Sequence, residues 1–227
     1  MSEIVVTCGR LQMGKSSLAH RQASRRRGEL VFDPTEAFDI GRIVRSAREM
    51  VEACQARTET PIVYRSDGEV LEDFEKFAQV AQLYGGVGVI VDEASVICSP
   101  HSMPKQLSRL VRKVARYDHD LFLTTHRPAD LNPLCFTLAH RYQFFQTKNA
   151  LDLDRIAEMT SQEAAERVSR LPFRHYLEWD VAGESFWVNG DPASWRPDPP
   201  IRAREKHRFA PMEAVNDASG TGLPGIA

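Results

Sequence analysis

Short apolar runs alternate with longer segments of helical periodicity along the first 150 residues of the chain. The short runs predict buried strands, and the longer segments, whose apolar positions recur every three or four residues, predict amphipathic helices. Predicted strands cover Glu3 to Cys8, Leu30 to Phe32, Pro61 to Tyr64, Val87 to Val91, Leu121 to Thr125 and Arg141 to Gln146. Predicted helices cover Lys15 to about Arg26, Ile43 to Val51, Val70 to Leu83 and Met103 to Tyr117. Because such alternation forms right-handed βαβ crossovers, we expect an α/β fold with a mostly parallel central sheet flanked by helices.

The pattern changes after residue 150. Leu151 to Met159 and Gln162 to Leu171 predict helices, and His175 to Asp180 and Glu184 to Val188 flank a short turn, which predicts a hairpin. Residues 189–227 contain six of the 13 prolines and few periodic apolar positions. We therefore predict one domain over residues 1–188, with a core at about 3–150 and a small helix and hairpin extension at 151–188. Residues 189–227 are predicted to form an extended tail that wraps the core or a partner.

Composition fits a globular protein and limits its partners. The chain has 227 residues, of which 42% are hydrophobic and 26% are charged, and its formal net charge is −2. A nucleic-acid partner would therefore have to be bound by local basic clusters. The four widely spaced cysteines predict buried thiols in a reducing compartment, and no run approaches the ~20 apolar residues of a membrane span. We expect a cytoplasmic protein with no transmembrane segment of its own.

A phosphate-binding pattern follows the first predicted strand. Gly9 to Ser16 fits G-x-x-x-x-G-K-[ST] and leads directly into a predicted helix. Glycines let backbone N–H groups converge on phosphate oxygens, Lys15 reaches the β and γ phosphates, and the Ser16 hydroxyl can ligate Mg²⁺. ATP and Mg²⁺ are therefore the expected cofactors. The predicted nucleotide contacts are Gly9, Arg10, Leu11, Gln12, Met13, Gly14, Lys15, Ser16 and Ser17.

Acidic and polar residues follow two later strands. Asp92 and Glu93 come directly after the apolar run that begins at Val87, as in a Walker B motif. Asp92 is expected to hold Mg²⁺ through its water shell, and Glu93 to orient and deprotonate the attacking water. The strand that ends at Thr125 leads into His126 at the same predicted sheet edge, so either residue could sense the γ-phosphate or its water.

One predicted helix carries a basic face. Lys105, Arg109, Arg112, Lys113 and Arg116 recur at helical spacing, and no acidic residue occurs from His101 to Tyr117. This face could track a phosphate backbone, or hold an arginine that completes the site of a neighbouring subunit. It could also be an ordinary solvated surface.

These motifs together resemble the FtsK–HerA group of DNA-pumping ATPases. The resemblance rests on the phosphate loop, on the Walker B run, and on Ala115-Arg116-Tyr117 leading into Leu123 to Leu131. It implies a P-loop NTPase fold of the RecA and FtsK–HerA type, with a trans-acting arginine at Arg116 or Arg127. It also places the polar sensor at His126, where the family usually has glutamine.

A minimal core with a short tail is similar to the genome-packaging ATPases of tailless, internal-membrane phages. The resemblance implies an ATP-driven translocase of double-stranded DNA that acts as a homo-oligomeric ring at a capsid vertex. Its partners would include capsid-vertex or membrane-associated packaging proteins, and its location would be the virion and the host cytoplasm. The candidates for DNA or interface contact are Lys105, Arg109, Arg112 and Lys113.

Three other functions are weighed against this one. A phage export ATPase of the zonula-occludens-toxin type would usually carry a transmembrane segment. A small-molecule kinase would use the same phosphate loop, but Glu93 beside Asp92 favours hydrolysis. The remaining alternative is a nucleotide-gated capsid component that does not hydrolyse ATP. It would differ from a translocase in releasing no phosphate.

Overall fold

A computed structural model describes residues 2–56 and 61–190, which form a mostly parallel sheet with helices on its faces. The strands are β1 (Ile4–Cys8), β2 (Glu29–Phe32), β3 (Arg42–Val44), β4 (Ile62–Tyr64), β5 (Gly88–Val91), β6 (Asp120–Thr125), β7 (Arg141–Phe145), β8 (Tyr176–Asp180) and β9 (Ser185–Asn189). The helices are α1 (Lys15–Ala23), α2 (Ala47–Gln55), α3 (Val70–Leu83), α4 (Lys105–Tyr117), α5 (Pro133–Thr137), α6 (Ala150–Met159) and α7 (Gln162–Ser169). The predicted α/β class is confirmed.

The order of strands places the polar strand ends side by side. Across the sheet the order is β3-β4-β2-β5-β6-β1-β7-β8-β9, and all neighbours from β3 to β7 are parallel. Cys8 at the end of β1 pairs with Thr125 at the end of β6, and Val91 at the end of β5 pairs with Leu123. The loops that follow these strands therefore meet at one edge of the sheet, the edge at which α/β proteins bind ligands.

The region around Ile43 differs from its predicted helix. The structure begins this region with strand β3, which pairs with β4, and starts α2 only at Ala47. Ile43 is 45% exposed while Val44 is buried, which is the alternation of a strand. The Ser46 side chain accepts a hydrogen bond from the Glu49 backbone N–H and so begins the helix. The predicted helix was wrong at its start, because the apolar residues of β3 continue the three- and four-residue spacing of α2.

Apolar residues pack on both faces of the sheet. On one face, α1 buries Ala19 and Ala23 in the cluster that contains Val5 and Phe122. On the other face, Phe32 of β2 contacts the rings of two phenylalanines of α3, with centroid distances of 5.2 and 5.4 Å. Four cysteines are free and buried: Cys8, Cys54, Cys98 and Cys135. Within residues 2–56 and 61–190, none of the helices has the length and apolar character needed to cross a membrane.

The predicted extension continues the sheet. Strand β8 pairs antiparallel with β7, and β9 pairs antiparallel with β8. Two buried side-chain hydrogen bonds connect β1, β7 and β8. Thr7 Oγ1 donates to Gln143 Oε1, and Gln143 Nε2 donates to Glu178 Oε2. Asn189 still belongs to β9, one residue past the predicted end of the domain, and most of the predicted tail lies outside the described residues. The division into a domain and a tail stays a prediction.

Candidate nucleotide site

The phosphate loop lies between β1 and α1. Its backbone turns through left-handed conformations at Gln12, with φ of 63°, and at Gly14, with φ of 104°. Gly9 allows the loop to pass close to β7, because a Cβ on Gly9 would stand 2.6 Å from Cβ of Phe145. Helix α1 begins at Lys15, so the amides of its first turn face the same loop. The geometry is that of an anion cradle.

Lys15 is buried beneath this loop. Its Nζ lies 3.3 Å from the Arg10 carbonyl oxygen, to which it donates, and 3.3 Å from His126 Nδ1. Burial lowers the pKa of Lys15, and the negative charges of Glu93 and Asp92 partly offset this effect. The ammonium group thus has a position from which phosphate oxygens can be reached.

A hydroxyl and a carboxylate provide oxygen ligands for a metal ion. Ser16 Oγ donates to Asp92 Oδ1 at 2.9 Å, and Thr124 Oγ1 donates to the same oxygen at 2.7 Å. Desolvation by burial raises the pKa of Asp92, and these two hydrogen bonds partly offset the rise. Hydroxyl and carboxylate oxygens are the hard donors that Mg²⁺ prefers, so the pair of Ser16 and Asp92 fits this ion.

Glu93 is held on both oxygens. Oε1 accepts from the His126 backbone N–H at 3.0 Å and from Ser95 Oγ at 2.8 Å, and Oε2 lies 3.2 Å from His126 Nε2. The Lys15 ammonium can only donate, so a hydrogen bond between the two side chains has His126 Nδ1 as the acceptor, while Nε2 faces Glu93. One imidazole therefore connects the lysine of the loop to the Walker B glutamate.

Comparison with solved structures finds viral packaging NTPases with a similar fold. The genome packaging NTPase B204 from Sulfolobus turreted icosahedral virus 2, in complex with ATP-gammaS, superposes with a TM-score of 0.70 at 25% identity over 84% of this chain and 98% of that chain. The DNA-packaging ATPase B204 from Sulfolobus turreted icosahedral virus superposes with a TM-score of 0.68 at 24% identity over 83% and 97% of the two chains. This chain is a P-loop ATPase that resembles the FtsK–HerA type.

Other comparisons with this ATPase give a weaker structural match or no match. The N-terminal domain of zonular occludens toxin from Neisseria meningitidis superposes with a TM-score of 0.45 at 15% identity over 83% of this chain and 94% of that chain. No protein-family model and no curated protein sequence matches the chain.

Five predicted site residues of the ATPase lie in contact with one another at one sheet edge: Lys15, Ser16, Asp92, Glu93 and His126. Sequence reasoning missed a further contact, Thr124, whose hydroxyl accepts from the Glu93 backbone N–H at 2.9 Å while it donates to Asp92. The available signal was a second threonine, Thr124, directly before Thr125 at the end of β6. Thr125, weighed as a sensor, has its hydroxyl near the Arg127 carbonyl oxygen at 3.4 Å.

The two candidate arginine fingers lie in different surroundings. Arg127 pairs within the same chain with Asp152 of α6, with Nε 3.0 Å from Oδ1. Arg116 lies in the last turn of α4, where the Tyr117 carbonyl accepts from the Gly86 backbone N–H just before β5 begins. That is the sheet edge opposite Asp92, so Arg116 does not join the site of its own subunit. A role of either arginine in trans stays a prediction.

The predicted basic face is exposed at four of its five positions. Lys105, Arg109, Arg112 and Arg116 are exposed, whereas Lys113 is half-buried. Lys113 has φ of −125° and ψ of 19°, so the helix kinks there and this residue leaves the regular face. The opposite face of α4 packs on the core through Leu107, Leu110 and Val111.

Replacing Thr124 with Val is expected to lower the kcat of the ATPase about tenfold or more, with little change in KM for ATP. Valine keeps the shape but removes the acceptor of the Glu93 N–H and the donor to Asp92, and an unpaired buried group costs about 1–3 kcal/mol. Steady-state phosphate release measures both constants.

The Thr124→Ser variant keeps the hydroxyl and should retain most of the activity. Thr137→Val removes a hydroxyl from the exposed surface of α5 and serves as the matched control. A wild-type rate in Thr124→Val would contradict a positioning role for this hydroxyl.

Proposed function

We propose that this ATPase uses ATP hydrolysis to move double-stranded DNA into a viral capsid, as a homo-oligomeric ring at a capsid vertex. The observation that supports this proposal is the similarity to the genome packaging NTPase B204, which extends over 98% of that chain at 25% identity. The proposed places of action are the virion and the host cytoplasm, with capsid-vertex or membrane-associated packaging proteins as partners.

In the proposed reaction, the loop amides and Lys15 bind the phosphates. Ser16 and Asp92 would hold Mg²⁺, which supplies neutralisation of phosphate charge when bound. Glu93 orients the attacking water and accepts its proton, and His126 lies where it can contact the γ-phosphate. Phosphate oxygens would replace the Arg10 carbonyl and His126 as acceptors of the Lys15 ammonium.

The basic face of α4 is the proposed contact with DNA or with a neighbouring subunit. Arg109 and Arg112 stand out from a helix whose other face is buried, and the chain as a whole has a charge near zero. Arginine side chains of this kind bind phosphates without reading sequence, which suits a motor that moves along any DNA. The position of Arg116 far from its own site supports its assignment as the finger in trans.

A triplex-displacement assay tests the proposed translocation. The wild-type protein with ATP and Mg²⁺ is expected to strip a third strand from duplex DNA, and a variant that cannot hydrolyse ATP should strip none. The double variant Arg109→Ala/Arg112→Ala should weaken DNA binding and lower the slope of log affinity against log salt by about two, because each lost phosphate contact lowers it by about one.

The control is Arg48→Ala, which removes an exposed arginine from α2, where it pairs only with the exposed Glu52 at 3.1 Å among the contacts of the described residues. It should change neither the displacement nor the salt slope. ATP hydrolysis without displacement would contradict the proposed function, and a wild-type salt slope in the double variant would contradict the role of α4.

A further inference from the structure

The arrangement of strands fixes the direction in which a bound nucleotide extends. Asp92, Glu93 and His126 follow β5 and β6, which lie on one side of β1. The terminal phosphate must face these residues, because they are the groups that act on it. We therefore expect the nucleoside end on the other side of β1, where β7 and β8 lie.

A short loop, residues 172–175, lies on that side and contacts the phosphate loop. It belongs to the connection between α7 and β8, residues 170–175, and Arg174 Nε donates to the Gln12 carbonyl oxygen at 3.3 Å. The following residue, Tyr176, packs its ring 5.4 Å from that of Phe145 and shares a buried cluster with Met13 of the phosphate loop. The 172–175 loop is thus held against the phosphate loop by a buried contact and a hydrogen bond.

This loop exposes an aromatic ring beside a guanidinium group. Phe173 is 65% exposed, and the Arg174 guanidinium carbon lies 5.5 Å from the centre of its ring. Arg174 also adopts a left-handed φ of 60°, a conformation that a non-glycine residue takes at some cost. Exposed aromatic rings and guanidinium planes are the groups on which nucleobases stack.

We infer that Phe173 and Arg174 form the platform on which the nucleobase of ATP stacks. This inference rests on the proposed ATP-binding role of the phosphate loop and adds the part of the site that holds the base. Stacking recognises the face of a base and tolerates different edges, so the platform favours purine nucleotides over free polyphosphate and distinguishes ATP weakly from GTP.

Isothermal titration calorimetry with ATP and with inorganic tripolyphosphate tests the platform. Phe173→Ala is expected to weaken ATP binding about tenfold and to leave tripolyphosphate binding unchanged, because only ATP has a base to stack. GTP affinity should fall by the same factor. Phe173→Trp should restore ATP affinity and add tryptophan fluorescence that ATP quenches and tripolyphosphate does not.

Two controls separate the base platform from the phosphate cradle. Leu83→Ala removes a comparably exposed apolar side chain, 51% exposed, from the end of α3, and should bind both ligands as the wild type does. Lys15→Ala should weaken both ligands together.

Two results would overturn the platform while leaving the proposed function intact. These are unchanged ATP affinity in Phe173→Ala, or an equal loss of ATP and tripolyphosphate affinity, which would indicate that the substitution distorts the phosphate loop. A wild-type protein that binds neither ligand would overturn the proposed function and the platform together.

Discussion

Glu93→Gln is expected to lower ATP hydrolysis by about 10²- to 10⁴-fold while ATP binding persists, because the amide cannot accept a proton from water. Glu93 directly follows Asp92 at the end of β5, and its two oxygens already accept hydrogen bonds from His126 and Ser95. Glutamine preserves the size of the side chain and keeps one acceptor oxygen. The loss should therefore fall on kcat, measured as phosphate release, and not on affinity, measured by calorimetry.

The matched control is Glu72→Gln, which neutralises an exposed glutamate of α3. It should hydrolyse ATP at the wild-type rate. Turnover of Glu93→Gln within a factor of two or three of the wild type would contradict the role of Glu93 in activating the attacking water.

Arg65→Met is expected to lower the free energy of unfolding by about 3–5 kcal/mol, because it leaves a buried carboxylate without its ion partner. Asp33 is fully buried, and Arg65 Nε donates to its Oδ2 at 3.2 Å. Asp33 also accepts from the backbone N–H groups of Ala37 and Phe38, at 2.8 and 3.1 Å, so it organises the loop after β2. Urea denaturation of the purified protein measures the loss.

A second variant separates the buried charge from the lost packing. Asp33→Asn combined with Arg65→Met removes the unpaired charge, so the double variant should be more stable than Arg65→Met alone. Arg45→Met breaks an exposed pair with Asp67 and should cost less than about 1 kcal/mol. Equal effects of the Arg45 and Arg65 substitutions would show that burial of Asp33 does not govern this interaction.

Local patterns were sufficient to predict the centre of the site. The phosphate loop and the pair of Asp92 and Glu93 each occupy consecutive positions next to a strand, so their spacing could be read from sequence. The parallel sheet could be predicted from the alternation of strands and helices. Because the carboxyl ends of parallel strands lie at one edge of a sheet, His126 could be predicted to lie near Asp92 and Glu93.

Contacts between distant segments could not be predicted in this way. Thr124 meets Asp92 only because β6 lies beside β5, and Arg65 meets Asp33 only because β4 lies beside β2. Strand β3 was missed because its apolar residues continued the spacing of α2. The 172–175 loop carries no recognisable motif. Its position beside the phosphate loop depends on the packing of β8, which the sequence pattern does not reveal.

The position of the His126 ring has a consequence for engineering this ATPase. One nitrogen faces the lysine under the phosphate loop and the other faces the Walker B glutamate. A replacement at this position changes the surroundings of both charged groups at once. We therefore expect substitutions of His126 to change nucleotide affinity and turnover together, so that variants changed in turnover alone are better sought at other residues of the site.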